Sequence, residues 1–188
     1  MDTHDYVTYE QWGRKFFEVA VTEERVASAF AAIAGDEFEM GPMGQGPGRI
    51  ARVTAKVKIG EPHATRQLGD TITFDIRIPL EIDLLVDLRL DKQRFKVDGE
   101  VALRAIARAA AEPLALVIDV AKPRPSDISV HVSTKSIRGE LLRIIGGVDA
   151  EIRRFTAAHV ADQIDAPESI DAQVINVEEM IDTAWTGV

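Results

Sequence analysis

Between positions 72 and 90 every even-numbered residue is apolar: Ile72, Phe74, Ile76, Ile78, Leu80, Ile82, Leu84, Val86, Leu88 and Leu90. The odd positions between them are mostly polar or charged (Thr73, Asp75, Arg77, Glu81, Asp83, Asp87), with Pro79 and Leu85 out of character. Side chains alternate across a strand, so the pattern describes extended chain with one wet face and one dry face. Strands usually run about 5–6 residues, so the run is either one very long, bent strand or two in series. A dry face of that length must be covered by something or must hold something.

The neighbouring segments continue the theme. Asp91-Lys92-Gln93 reads as a turn, after which the dry parity switches to odd numbers: Phe95, Val97, Val101, Leu103 and Ala105. The switch fits a hairpin, because a one-residue slip within a single strand would turn every side chain to the other face. Upstream, Val53, Ala55, Val57 and Ile59 alternate with Arg52, Thr54, Lys56 and Lys58. Downstream, Leu114, Leu116, Ile118 and Val120 form a strand, Lys122-Pro123-Arg124-Pro125 turns the chain, and Ile128, Val130 and Val132 form the next. Links this short predict antiparallel neighbours.

The period then changes from two to about 3.6. Ile137, Leu141, Ile144, Ile145, Val148, Ile152 and Phe155 share one face of a helix expected to run to about residue 163. Gly146-Gly147 inside it costs roughly 1 kcal/mol per glycine relative to alanine, which implies a kink or a close backbone contact. Residues 169–177 read as a last strand, and 178–185 as a short helix with Met180, Ile181 and Trp185 turned inward. At the other end, Thr22-Glu23-Glu24 has the capping hydroxyl and first-turn acids of a helix start. Val26, Phe30 and Ile33 follow on one face and Gly35 ends it. Residues 9–17 read as helix more readily than 16–21 read as strand.

Gly41-Pro42-Met43-Gly44-Gln45-Gly46-Pro47-Gly48 has the glycine content of a phosphate cradle but not its spacing. No Lys-Ser/Thr pair follows, no strand-to-helix context surrounds it, and its prolines remove amide donors. It reads as a structural loop, with a lid over a cavity mouth as the alternative. The expected organisation is a single α+β domain over 1–188. Residues 1–48 form an N-terminal helical segment and loop, 49–134 a long curved antiparallel sheet, 135–165 the long amphipathic helix it wraps, and 166–188 a C-terminal strand and helix extension.

Composition closes several doors. The 188 residues contain no cysteine, which excludes disulfides and thiolate metal sites. The formal net charge is −9, and from Asp149 onward only Arg153 and Arg154 stand against nine acidic residues. Nucleic acid needs a basic face and is excluded as a partner. The basic sets Arg52, Lys56, Lys58 and Arg138, Arg143, Arg153, Arg154 read as solvated faces, with peripheral contact to an anionic membrane surface as their alternative. Residues 1–5 lack a secretion signal and no apolar run approaches the roughly 20 residues of a membrane span, so the expected location is the cytoplasm.

Groups that could carry chemistry are sparse. None of the four histidines forms a metal pair at helical spacing. His4 is terminal, His63 falls in a turn after Pro62, and His131 lies on the polar side of its strand. His159 continues the apolar helical stripe and reads as a partly buried structural side chain, with anchoring a ligand headgroup or acting as a base as its alternatives. Asp75, Glu81, Asp83 and Asp87 occupy wet positions and read as solubilising charges that blunt strand edges. Asp149 and Glu151 sit beside Arg153 and Arg154 as helix ion pairs. There is no Gly-x-Ser-x-Gly elbow, so no catalytic residue, cofactor or metal is assigned.

The run 72–90, the return strand 95–105 and the helix 137–164 followed by 169–177 resemble, in order and length, the tubular lipid-binding (TULIP) proteins. That resemblance implies a curved antiparallel sheet around a long helix with an apolar groove for acyl chains. A second resemblance is to the START-like helix-grip fold, with 16–21 as its first strand and 22–34 as the helix after it. The expected function is non-catalytic binding of a lipid or other apolar molecule. The residues expected to line the groove are Ile72, Phe74, Ile76, Ile78, Leu80, Ile82, Leu84, Val86, Val97, Val101 and Leu103 on the sheet, with Leu141, Ile145, Val148, Ile152, Phe155 and His159 on the helix. The alternatives are a helix-grip enzyme of the cyclase or hydratase kind with His159 as base, and a structural or interaction module if the interior is solid.

Overall fold

A computed structural model describes residues 5–49, 51–88, 90–131 and 139–186; the side chains of Pro47, 139–143 and Ile145 lie outside that description. The alternating run is one strand of 16 residues, β4 (Ile72–Asp87), and its return is longer still, β5 (Lys92–Ala111). The two pair antiparallel from Ile72↔Ala107 to Asp87↔Lys92. Every even position of β4 is buried, as are Val97, Val101, Leu103 and Ala105 of β5. Leu90 lies beyond the end of β4 and is fully exposed, so the dry row stops short of it.

Each long strand carries two shorter ones in line along its free edge. On β4 these are β2 (Ala51–Ile59) and β3 (His63–Gln67). Pro79 falls where β2 ends, at Ile59↔Leu80, and β3 begins, at His63↔Arg77. A residue with no N–H is tolerated there because neither neighbour needs that donor. On β5 they are β6 (Leu114–Val120) and β7 (Ile128–His131). Adjacent in sequence, β6 and β7 are therefore not paired with each other, contrary to the short-link expectation; the turn between them moves the chain along the edge of β5.

Two strands were not expected from the sequence. β1 (Glu37–Gln45) pairs with β2 and absorbs most of the glycine-rich segment expected to be a loop. Its register breaks between Met40 and Met43, where Gly41 takes φ +113 and a Cβ would stand 2.6 Å from the Val53 carbonyl oxygen. Only glycine fits such a bulge. β3 contains His63, which is thus on a strand and not in a turn. It is tied from outside by Arg66, whose backbone N–H donates to Glu23 Oε1 (2.7 Å). The Arg66 guanidinium donates to the carbonyls of Glu18 (2.6 Å) and Val21 (2.9 Å).

Those carbonyls close α1 (Tyr9–Ala20), which opens on a Thr8/Gln11 capping box. The helix runs through the segment that the helix-grip comparison required as a first strand. α2 (Glu23–Ala29) starts on Thr22 as expected, and Val26, Phe30 and Ile33 are buried. Because Arg66 alone satisfies the α1 C-terminal carbonyls from the sheet, Arg66→Ala should lower stability by about 1.5–3 kcal/mol, read by chemical denaturation.

The long helix α3 (Gly139–Ile164) packs its inner stripe into the same core as the dry face of the sheet. After it come α4 (Pro167–Ala172), a short β8 (Val174–Asn176) on the edge of β6, and α5 (Val177–Thr186). The whole is a curled antiparallel half-barrel with α3 against it and α1 and α2 at one side. Gly147 makes the close contact foreseen for the glycine pair: a Cβ there would stand 2.5 Å from Gln45 Oε1, whereas one on Gly146 meets nothing within 4 Å. Gly146→Ala should therefore raise stability by roughly 0.5–1 kcal/mol, and Gly147→Ala by less because Gln45 must swing aside, as melting curves will show.

Candidate functional site

The seam between sheet and α3 gathers most of the expected lining. Ile72, Phe74, Ile76, Ile78, Leu80, Ile82, Leu84 and Val86 face it from β4, with Val97, Val101 and Leu103 from β5 and Val148 and Ile152 from α3. The side chains of Leu141 and Ile145, and positions 132 and 137, lie outside the described residues. Phe74, Ile76, Ile78, Val86, Val101 and Val148 have no accessible surface at all. Apolar atoms with none touch other protein atoms on every side, so these side chains close on one another and not around a space.

Phe155 departs from expectation: it is 50% exposed. The buried stripe of α3 is Val148, Ile152, Thr156, Val160 and Ile164, advancing in steps of four. At about 100° per residue, each step rotates the stripe by about 40°, so that its far end, Ile164, lies beside Phe30 and Ile33. Phe155, seven residues after Val148, is left about 60° behind Ile152 and turns outward.

Thr156 takes the inward position instead, fully buried, with His159 three residues on. The imidazole of His159 packs on Phe38 of β1, ring centres 4.3 Å apart and tilted by 31°. Thr156 Oγ1 and His159 Nε2 are both buried and have no hydrogen-bond partner among the described residues. Positions three apart on a helix place their Cβ atoms roughly 5–6 Å apart, so the two side chains leave α3 side by side. Thr156 escaped the sequence reading because a seven-residue repeat skips it; stepping in fours from Val148 finds it.

Open space lies elsewhere. Between α2, the end of α3 and α4 there is about 10 Å³ beside Phe30, Ile33, Gln163 and Ser169, about the room of one water. A cleft of about 300 Å³ separates α1 from the β3–β4 turn, floored by Phe17, Ile72 and Ala107. On the wet face a depression of about 620 Å³ holds Lys56, Asp83, Leu85, Arg94 and Lys96. The carboxylates of that face do not guard an edge, since β4 is paired on both sides. They meet cations across the ladder, Asp75 with Arg104 (3.6 Å) and Asp87 with Lys92 (3.4 Å). Lys56 and Glu37 are 2.5 Å apart, and their hydrogen bond holds the Glu37 carboxyl below its usual range and raises the lysine. Arg153 pairs with Asp149 and Arg154 with Glu151 along α3. Among the described residues no helix is long and apolar enough to cross a membrane.

The arrangement is a curled antiparallel sheet closed by one long helix. No family model matches the chain, and no curated protein matches it in sequence. Among solved structures the chain is similar to a lipopolysaccharide binding protein, at 12% identity and a TM-score of 0.40. The match covers 86% of this chain and 39% of that one, so the chain spans well under half of the neighbour's length. A likeness this distant says nothing of what this chain binds.

Proposed function

We propose that the protein is a non-catalytic binder of a lipid or other apolar molecule, received between the dry face of the sheet and α3. The observation that carries the reading is the pair Thr156 Oγ1 and His159 Nε2, unpaired inside an otherwise apolar seam. A buried polar group without a partner costs about 1–3 kcal/mol, and a hydrogen-bonding headgroup would relieve both. Burial of the ligand's apolar part adds about 25 cal/mol per Å². Because the lining side chains touch one another, uptake requires α3 to part from the sheet.

Native mass spectrometry with a long-chain alcohol and a long-chain fatty acid tests this. Wild type should retain one of them. Thr156→Val, which keeps the shape and removes the hydroxyl, should retain it roughly tenfold less while melting higher by the equivalent of about 1 kcal/mol. Retention unchanged in Thr156→Val would make the hydroxyl a packing defect and remove the site. A second reading, a module that acts through its surface around a solid core, is favoured by the absence of accessible area in the seam. Wild type retaining neither compound selects it.

A further inference from the structure

The chain has two tryptophans and two tyrosines, and none is in the core. Tyr6 (95% exposed), Tyr9 (97%) and Trp12 (59%) lie on or just before α1, and Trp185 (79%) lies on α5. On α1 the exposed Tyr9, Trp12 and Val19 fall with Phe16 along one stripe at spacings of three and four, and Trp12 stacks on Phe16 at 5.2 Å. On α5 the exposed Met180, Ile181, Ala184 and Trp185 form a second stripe. This corrects the expectation that Met180, Ile181 and Trp185 turn inward: of α5, only Val177 is buried.

Both helices sit at the same end of the sheet. Phe17 and Gly13 of α1 stand over Ala107 of β5, while Glu178 of α5 accepts a hydrogen bond from the Leu114 N–H (3.4 Å) opposite Ala111. Four strand residues, about 13 Å, separate those points. Between them Ala109, Ala111 and Leu114 bring the apolar side of the sheet to the surface.

We propose that α1 and α5 together form a surface that docks on a zwitterionic lipid bilayer. Indole and phenol rings join an apolar body to a polar tip and favour the membrane–water boundary, whereas among the described residues the buried apolar side chains are aliphatic, methionine or phenylalanine. Charge selects the lipid. On α1 Lys15 pairs with Glu18 (3.3 Å) and the charge of Arg14, which donates to the Gly69 carbonyl (3.5 Å), is offset by Glu10, so the net charge of the surface comes from α5. Among the described residues, Glu10, Glu178, Glu179 and Asp182 pair with no cation. An acidic, aromatic surface complements the outermost ammonium layer of phosphatidylcholine, which aromatic faces also attract, and is repelled by an anionic leaflet. A second copy of the chain would bring the same carboxylates of α5 against themselves. The surface is independent of the seam and stands or falls without it.

Trp12 and Trp185 are the only tryptophans, so their emission reports on the surface itself. With phosphatidylcholine vesicles the protein should co-float and its emission should shift to the blue. With vesicles containing phosphatidylglycerol, partitioning should fall at least tenfold, because the carboxylates of the surface meet a like-charged leaflet. Tyr9→Ser with Trp185→Ser, both at exposed positions, should abolish co-flotation while leaving circular dichroism and melting unchanged. Failure to co-float with either vesicle, or tighter binding to the anionic one, overturns the proposal. So does a blue shift that follows protein concentration without vesicles, which assigns the surface to a second copy.

Discussion

Phe74→Ala should destabilise the protein by about 3–5 kcal/mol, the largest loss expected from a single truncation. Phe74 heads the fully buried side chains by volume, with no accessible surface. It stands near the middle of the sheet, paired with Arg66 of β3 on one side and Ala105 of β5 on the other. Its neighbour on the dry face of β5 is an alanine, which cannot expand into the space left, and both flanking strands are held by continuous ladders. A site that cannot collapse pays both the lost burial and the cavity. Urea titration should show a lower midpoint at unchanged slope. A shift below about 1 kcal/mol would mean that the dry face is not closed over Phe74 as the structure has it.

Ile152→Ala on α3 should cost about 2–5 kcal/mol, whereas Phe155→Ala, three residues away, should cost about 1 kcal/mol or less. Phenylalanine is the larger side chain, so volume alone predicts the reverse order. Orientation decides: Ile152 is 1% exposed and faces the sheet, while Phe155 has turned halfway into solvent. The pair of denaturation curves therefore measures the rotation of α3 in its seat. Equal losses would place the helix about 30° from the observed rotation, with the sheet facing midway between the two side chains and Thr156 turned from it by as much.

The comparison of Phe155 with Thr156 shows where sequence reasoning stops. Amphipathic spacing identifies a helix and its approximate buried side, because a 3.6-residue period is a local property. It does not say whether the stripe follows a seven-residue repeat or drifts in steps of four, since the twist of the surface opposite sets that. Burial was accordingly legible on the sheet side, whereas on α3 Phe155 was expected inward and Thr156 was not. The unpaired Thr156 and His159 atoms, which make the seam a candidate site, have no signature in spacing at all.

The sequence by itself determined the central ladder. Binary alternation over 72–86 leaves a strand with two unlike faces as the only solution that buries eight apolar side chains of that spacing, and the parity switch after Asp91 compels a hairpin. It also determined α2, α3 and the helix start at Thr22, where capping and period agree. Tertiary structure alone decided β1 and β3, one interrupted by glycine and proline and the other only five residues long. Both form because β2 and β4 present backbone edges whose N–H and C=O groups must be satisfied, a demand that pays no regard to the side chains of the strand that answers it. It decided as well that β6 and β7 lie in line along β5, and that the apolar stripe of α5 faces outward. An amphipathic helix records that it has an apolar side; whether another part of the chain arrives to cover it is settled only by what else the fold brings there.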